Sequence, residues 1–271
     1  MTTATPERQE TAIDIFQRVL VGVDDTPHAF EAARQAAVLR TPGGTLHLVA
    51  AVDSGKAVHA GFAAAAVADQ MRYSAQEALD AAAAATGPTT QTLIEGRPCP
   101  TLLERLRRHD ATLLALGAHG HRRGAGRLLG AAGSILLREV PSSVLLARPD
   151  SWPAGHPERI VAGVDGSPQS ALAADVARAL SKRFGARLTF VAGLGGKLRD
   201  PEGVKELFPE AVIDERSPVD ALVSASRSAD LVVLGSRGLH GLQALGSVSE
   251  RVAHRAHSSV LVVRDQATSG R

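Results

Sequence analysis

Cysteine is almost missing from this chain: Cys99 is the single one in 271 residues. One thiol excludes an intramolecular disulfide and any multi-cysteine zinc or iron–sulfur site. Aromatic residues amount to 3%, so stacked rings cannot dominate the core. No apolar run reaches the roughly 18 residues of a membrane-spanning helix, and no membrane association is expected. The first residues, MTTATPERQETAID, lack the apolar stretch of a signal peptide, so a cytoplasmic location is expected. Charge of one sign is lacking too. Thirty Lys and Arg face 28 Asp and Glu, a net +2, too small an excess to argue specific nucleic-acid binding.

What is present is a globular composition, 44% hydrophobic and 21% charged, long enough for two domains. Alanine is abundant, with 47 residues, which suits helices lying close on a sheet. The chain also repeats itself. Residues 18–39, RVLVGVDDTPHAFEAARQAAVL, align without a gap to 159–180, RIVAGVDGSPQSALAADVARAL, at an offset of 141. ATLLALGAHG at 111–120 matches ADLVVLGSRG at 229–238, at an offset of 118. SSVLLAR at 142–148 matches SSVLVVR at 258–264, at 116. The order is kept, so a domain has been duplicated. The fall from 141 to 118 means that the second copy lacks 23 residues in its middle. Residues 149–158, PDSWPAGHPE, hold three prolines and read as a linker between domains at 16–148 and 159–264.

Each copy alternates short apolar runs with helical patterns. Val19–Val23, Leu46–Val52, Thr90–Ile94, Thr112–Leu116 and Val144–Ala147 read as strands. Thr26-Pro27 reads as a helix cap followed by proline at the first helical position. A long Ala-rich helix is expected over about 63–86, and Thr101 with Glu104 reads as the opening of another. The second copy repeats the pattern through Ile160–Val164, Leu188–Val191, Ala211–Asp214, Leu231–Leu234 and Val260–Val263. Its missing residues fall on the long helix, which is expected to be lost or shortened. Such alternation predicts an α/β fold: two tandem open parallel-sheet, Rossmann-like domains with helices on both faces.

In open α/β sheets ligands sit beyond the carboxyl ends of the strands. Asp24 and Asp165 follow the first strand of each copy. Glycine-rich segments follow the fourth: Gly117, Gly120 and Gly130 in one, and Gly235, Gly238, Gly246 with Ser247 in the other. Glycines let backbone amides approach phosphates, and a helix N-terminus adds a positive dipole end. These pieces match a mononucleotide site.

VGVDDTP and GVDGSP, the LGAHG and LGSRG turns, and the runs closing each copy resemble the universal stress protein family in its tandem two-domain form. The resemblance covers about residues 16–148 and 158–264. It implies a cytoplasmic stress-response regulator that binds ATP, with magnesium, and acts on unidentified protein partners. It implies no enzyme, at most a slow ATPase. In the ATP-binding branch two glycines with two residues between them, then nine residues, then glycine and Ser or Thr, hold the phosphates. The aspartate and an apolar residue of strand two, Val49 or Val191 here, hold the nucleoside. Copy one keeps the nine-residue spacing but has Ala131 in the final place. Copy two has Ser247 but a spacing of seven. The alternative is a nucleotide-free interaction module, matching the family's other branch. The resemblance also implies that the last strands of the two copies pair as an intrachain pseudo-dimer, with a homodimer as a further step. The second cleft, having lost chain, is expected to be the more open.

Other readings are bland. Ser247 with Glu250 reads equally as a capping box, and the glycines as turn residues. The cluster His119, His121, Arg122, Arg123 and Arg127 reads as a solvated loop or as charge for a triphosphate, as do Arg237 and His240. His254 and His257 lack a companion ligand for a metal. Cys99, between Pro98 and Pro100, reads as a packing residue. GLGGKLR at 193–199 departs from the P-loop spacing.

Overall fold

Apolar β-branched strands in the first half form a parallel set because their connecting helices can cover both faces. The computed structural model describes residues 15–118, 130–195, 201–236 and 247–265. The first half runs β1 (Arg18–Gly22), α1 (Pro27–Leu39), β2 (Thr45–Val52), a 3-10 segment (Ser54–Ala63) and α2 (Ala64–Thr86). It continues with β3 (Thr90–Glu95), α3 (Pro98–Arg108), β4 (Leu113–Gly117), α4 (Ala131–Glu139) and β5 (Ser143–Ala147). The second half runs β6 (Arg159–Gly163), α5 (Pro168–Phe184), β7 (Arg187–Gly193), α6 (Pro201–Leu207) and β8 (Val212–Asp214). It ends with α7 (Pro218–Ala225), β9 (Leu231–Gly235), α8 (Val248–Arg255) and β10 (Ser259–Val263).

All ten strands share one sheet, ordered β3-β2-β1-β4-β5-β10-β9-β6-β7-β8. Every pairing is parallel except β5 with β10, where Leu145 faces Leu261. The closing strands thus meet each other, and no side chain of either is left in solvent. Each such buried aliphatic stabilises the junction by about 1.5–3 kcal/mol relative to exposure. One core lies under α1, α2, α5 and α6 and includes Leu145 and Leu261. The other lies under α3, α4, α7 and α8 and includes Leu146 and Val260. Both cores therefore run unbroken from one half to the other.

Two buried arginines cross that junction reciprocally. Arg148, following β5, donates to the carbonyls of Ser258 (3.0 Å) and Ala253 (2.6 Å) in the last turn of α8 and beyond. Arg264, following β10, donates to the carbonyls of Val140 and Leu137 at the end of α4. Cations suit helix C-termini, where carbonyls lack intrahelical donors. Burial pushes the Arg264 guanidinium down to about 10. The connecting segment 149–158 is packed as well: Trp152 is buried and its indole N–H donates to Asp230 O (3.1 Å).

Local signals account for most helix starts. Thr26, Ser167 and Ser217 each accept from an amide three residues on, and each precedes a proline in the first turn. α3 opens a turn earlier than Thr101 suggests. Pro98 suits the first helical position, and Thr101 Oγ1 lies 2.8 Å from where a side chain at Gly96 (φ +147°) would begin. The long helix differs most. α2 has 23 residues and α6 has seven, so the second half keeps a short helix there.

Candidate functional site

Sheet order reverses between β1 and β4 in the first half, and between β6 and β9 in the second. At such a switch point the two crossovers leave in opposite directions and open a crevice at the strands' carboxyl ends. Asp24 lies just beyond β1 and Gly117 ends β4, so the topology brings these two to one crevice. Asp165 and Gly235 take the matching places.

Both aspartates build the start of the next helix. Asp24 Oδ1 accepts from the Thr26 amide (3.1 Å) and from the Thr26 hydroxyl, whose oxygen in turn accepts from Ala29 N (3.2 Å). Asp165 Oδ1 accepts from Ser167 N (3.0 Å), and Ser167 Oγ from Ser170 N (3.2 Å). In both, one carboxylate oxygen fixes the cap. Asp24 is half-buried and Asp165 exposed. The halves differ at the next residue, where Gly166 takes a left-handed φ of +77° and Asp25 does not.

Gly117 and Gly235 are required by packing. A methyl group on Gly117 would begin 2.8 Å from the backbone of His28, and one on Gly235 would begin 2.2 Å from Gln169 O. The first turn of α1 or α5 therefore rests directly on the end of the fourth strand. His28 enters the first crevice, where sequence reasoning had not placed it. Burial pushes its imidazole below the ordinary value, against the opposing pull of its hydrogen bond to Ala147 O and of nearby Asp24. Its counterpart by repeat alignment, Gln169, offered no signal of a shared role.

Ala118 and Gly130, the described residues nearest the end of β4 and the start of α4, bond to each other. Ala118 N donates to Ala147 O (2.9 Å), and Gly130 N donates to Ala118 O (3.1 Å). Gly130 precedes α4, and no side chain caps that helix. Its first amides therefore face the crevice side without a side-chain acceptor, beneath a positive dipole end. In the second half Ser247 Oγ caps α8, accepting from Glu250 N (3.2 Å). Gly120, Gly238 and Gly246, with the cationic residues from His119 to Arg127 and Arg237 and His240, lie outside the described residues.

Val49 and Val191 are interior. Val49 is 1% exposed and Val191 6%. Their carbonyls accept from Val23 N (2.9 Å) and Val164 N (3.0 Å), extending the ladders beyond β1 and β6. Two residues on, the halves part. Ala51 is half-buried at the rim of β2. At the matching register Gly193 is buried, and a methyl group there would begin 2.6 Å from Pro218. α7 thus roofs the end of β7. The second cleft, expected to be the more open, is the more closed at this point, because α7 enters directly over the strand end.

The comparisons with known proteins agree with this architecture. A sequence profile described as the Universal stress protein family matches residues 15–148 and 197–264. A universal stress protein from Mycobacterium tuberculosis is 29% identical over 296 aligned residues, spanning 92% of this chain and 97% of that protein. A second from the same organism is 33% identical over 202 residues, spanning 64% and 68%. Among solved structures, a universal stress protein from Archaeoglobus fulgidus has a TM-score of 0.68 at 19% identity, covering 92% of this chain and 98% of its own.

Proposed function

Because this chain belongs to the universal stress protein family, we propose that it binds an adenine nucleotide, ATP, in the crevice of its first half and serves as a cytoplasmic stress-response regulator. The observation that carries the reading is the switch point between β1 and β4, with Asp24 on one side and the uncapped start of α4 on the other. Asp24 has one oxygen fixed by the cap, which leaves the other to accept from a ribose or adenine donor. The amides of α4 suit a phosphate, with magnesium sharing the charge. The open rim at Ala51 supports an adenine beside strand two. In this reading the protein is at most a slow ATPase.

The second half supports the other reading, a nucleotide-free interaction module. Gly193 and Ser247 are accounted for there by packing and capping, where the first half has Ala51 and an uncapped helix. The test is to denature protein purified without added nucleotide and separate the supernatant by anion exchange. A thermal titration with ATP and magnesium accompanies it. At a hundredfold excess over Kd, binding stabilises by about 2.7 kcal/mol. The expected result is a shift in wild type and in Asp165→Ala, and its loss in Asp24→Ala. No released nucleotide and no shift would leave the interaction module as the function.

A further inference from the structure

A groove of about 550 Å³ opens on the α7 face of the second half. Its volume lies within the range of small-molecule sites. Its floor is Val161 of β6 with Thr189 and Val191 of β7, and its wall is Ala221, Ser224 and Ala225 of α7. Its far end lies at Arg159 and Arg187, the first residues of β6 and β7. That end lies away from the strands' carboxyl ends, and the nucleotide is proposed for the first half, so the groove does not rest on the nucleotide reading.

The first half shows why the groove exists. The register places His47 where the second half has Thr189. His47 bonds to Thr92 Oγ1 (2.7 Å) and stands edge-on against His109, with ring centroids 4.3 Å apart. His109 follows α3, which has 11 residues where α7 has eight. The second half has lost the imidazole from the floor and a turn from the roof. The edge is thinner too: β8 pairs only with Val191–Gly193, whereas β3 pairs along β2 from His47 to Val52.

The charges are unequal along the groove. At one end Arg216 holds Asp214 with two contacts (2.9 and 2.5 Å), so the pair is internally balanced. At the other, Arg159 bonds to Asp230 (2.7 Å), whose second oxygen accepts the amides of Glu158 and Arg159 (2.8 Å each). Arg187 has no carboxylate partner among the described residues and remains the single unbalanced cation at the mouth. Ser228 adds a hydroxyl to the lining.

We propose that this groove is a second ligand site, taking an amphiphilic monocarboxylate whose apolar body lies on Val161, Val191 and Ala225 and whose carboxylate meets Arg187. An aliphatic or aryl acid of about eight to ten heavy atoms matches the one cation and the apolar floor.

The probe is sodium octanoate, titrated by calorimetry into the full chain, with acetate as the anion that lacks a body. Saturable binding of one octanoate per chain is expected, about tenfold or more tighter than acetate. Thr189→His supplies the side chain that fills the first half and is expected to abolish binding. Arg187→Gln, an exposed substitution, is expected to weaken it about tenfold. Circular dichroism checks that both variants fold. Equal affinity for acetate and octanoate, no binding by folded wild type, or undiminished binding by Thr189→His would each overturn the proposal. Nucleotide binding is measured on the same samples, and its presence or absence leaves the octanoate result unchanged.

Discussion

In the first half His47 and the longer α3 fill the space against the sheet; in the second, Thr189 and α7 leave it open. At the carboxyl end of the strands the contrast reverses. There α7 roofs Gly193, while Ala51 stays at an open rim. A duplication starts with two equal sites, and here small changes in helix position and length leave a groove beside α7 in the second half and a half-buried rim at Ala51 in the first. Where the halves meet they have stayed equal, because β5 and β10 share each other's core and each contributes one crossing arginine.

That equality gives the largest expected effect. Arg264→Met removes the donors to Leu137 and Val140, and Arg148→Met those to Ala253 and Ser258. A buried carbonyl left without a donor costs about 1–3 kcal/mol. Two per variant predicts a loss of about 2–6 kcal/mol for each, read from urea unfolding at constant slope. Similar losses would support the junction as a symmetric device. A large loss in only one would show that the halves have diverged there too.

Much of this was legible in the sequence, and the exceptions share a cause. The repeat, the alternation of strands and helices and the shortening of the second helix follow from local pattern, because each signal lies within a few residues. SSVLLAR and SSVLVVR stood out as repeats, but their arginines act on helices of the opposite half, a relation no local pattern carries. Asp24 and Gly117 were legible as neighbours of a switch point. That Gly117 is demanded by the first turn of α1 was not, since it depends on how closely a helix lies on a strand.

A pH profile sharpens the contrast between His47 and Thr189. Burial, with His109 and Arg105 nearby, pushes His47 down to about 4. The unfolded chain takes up its proton near 6.5, before the folded protein does. Stability is therefore fullest above about pH 6.5, falls as pH drops towards 4, and levels off below. The span allows about 1–3 kcal/mol for this one group. His28 and His254 are also lowered by burial, so His47→Thr is expected to remove part of the acid slope and leave theirs. Unfolding free energies of wild type and variant between pH 7 and 4 measure the difference. Parallel profiles would mean that the imidazole is not what separates the halves at this position.

The smallest effect separates two roles of one hydroxyl. Ser247 Oγ accepts from Glu250 N and lies 3.2 Å from Ser249 Oγ. Accepting from the amide uses a lone pair and leaves the hydroxyl proton able to donate, so capping and phosphate contact are compatible in principle. They differ in what Ser247→Ala removes. Loss of an N-cap costs about 1 kcal/mol whether or not nucleotide is present. Loss of a phosphate contact would instead shrink the rise in Tm caused by ATP and magnesium. With the nucleotide in the first half, Ser247→Ala lowers Tm by the same few degrees in both conditions. A deficit confined to the ATP-containing sample would transfer the nucleotide to the second half, and the closed rim at Gly193 would then have to open to admit it.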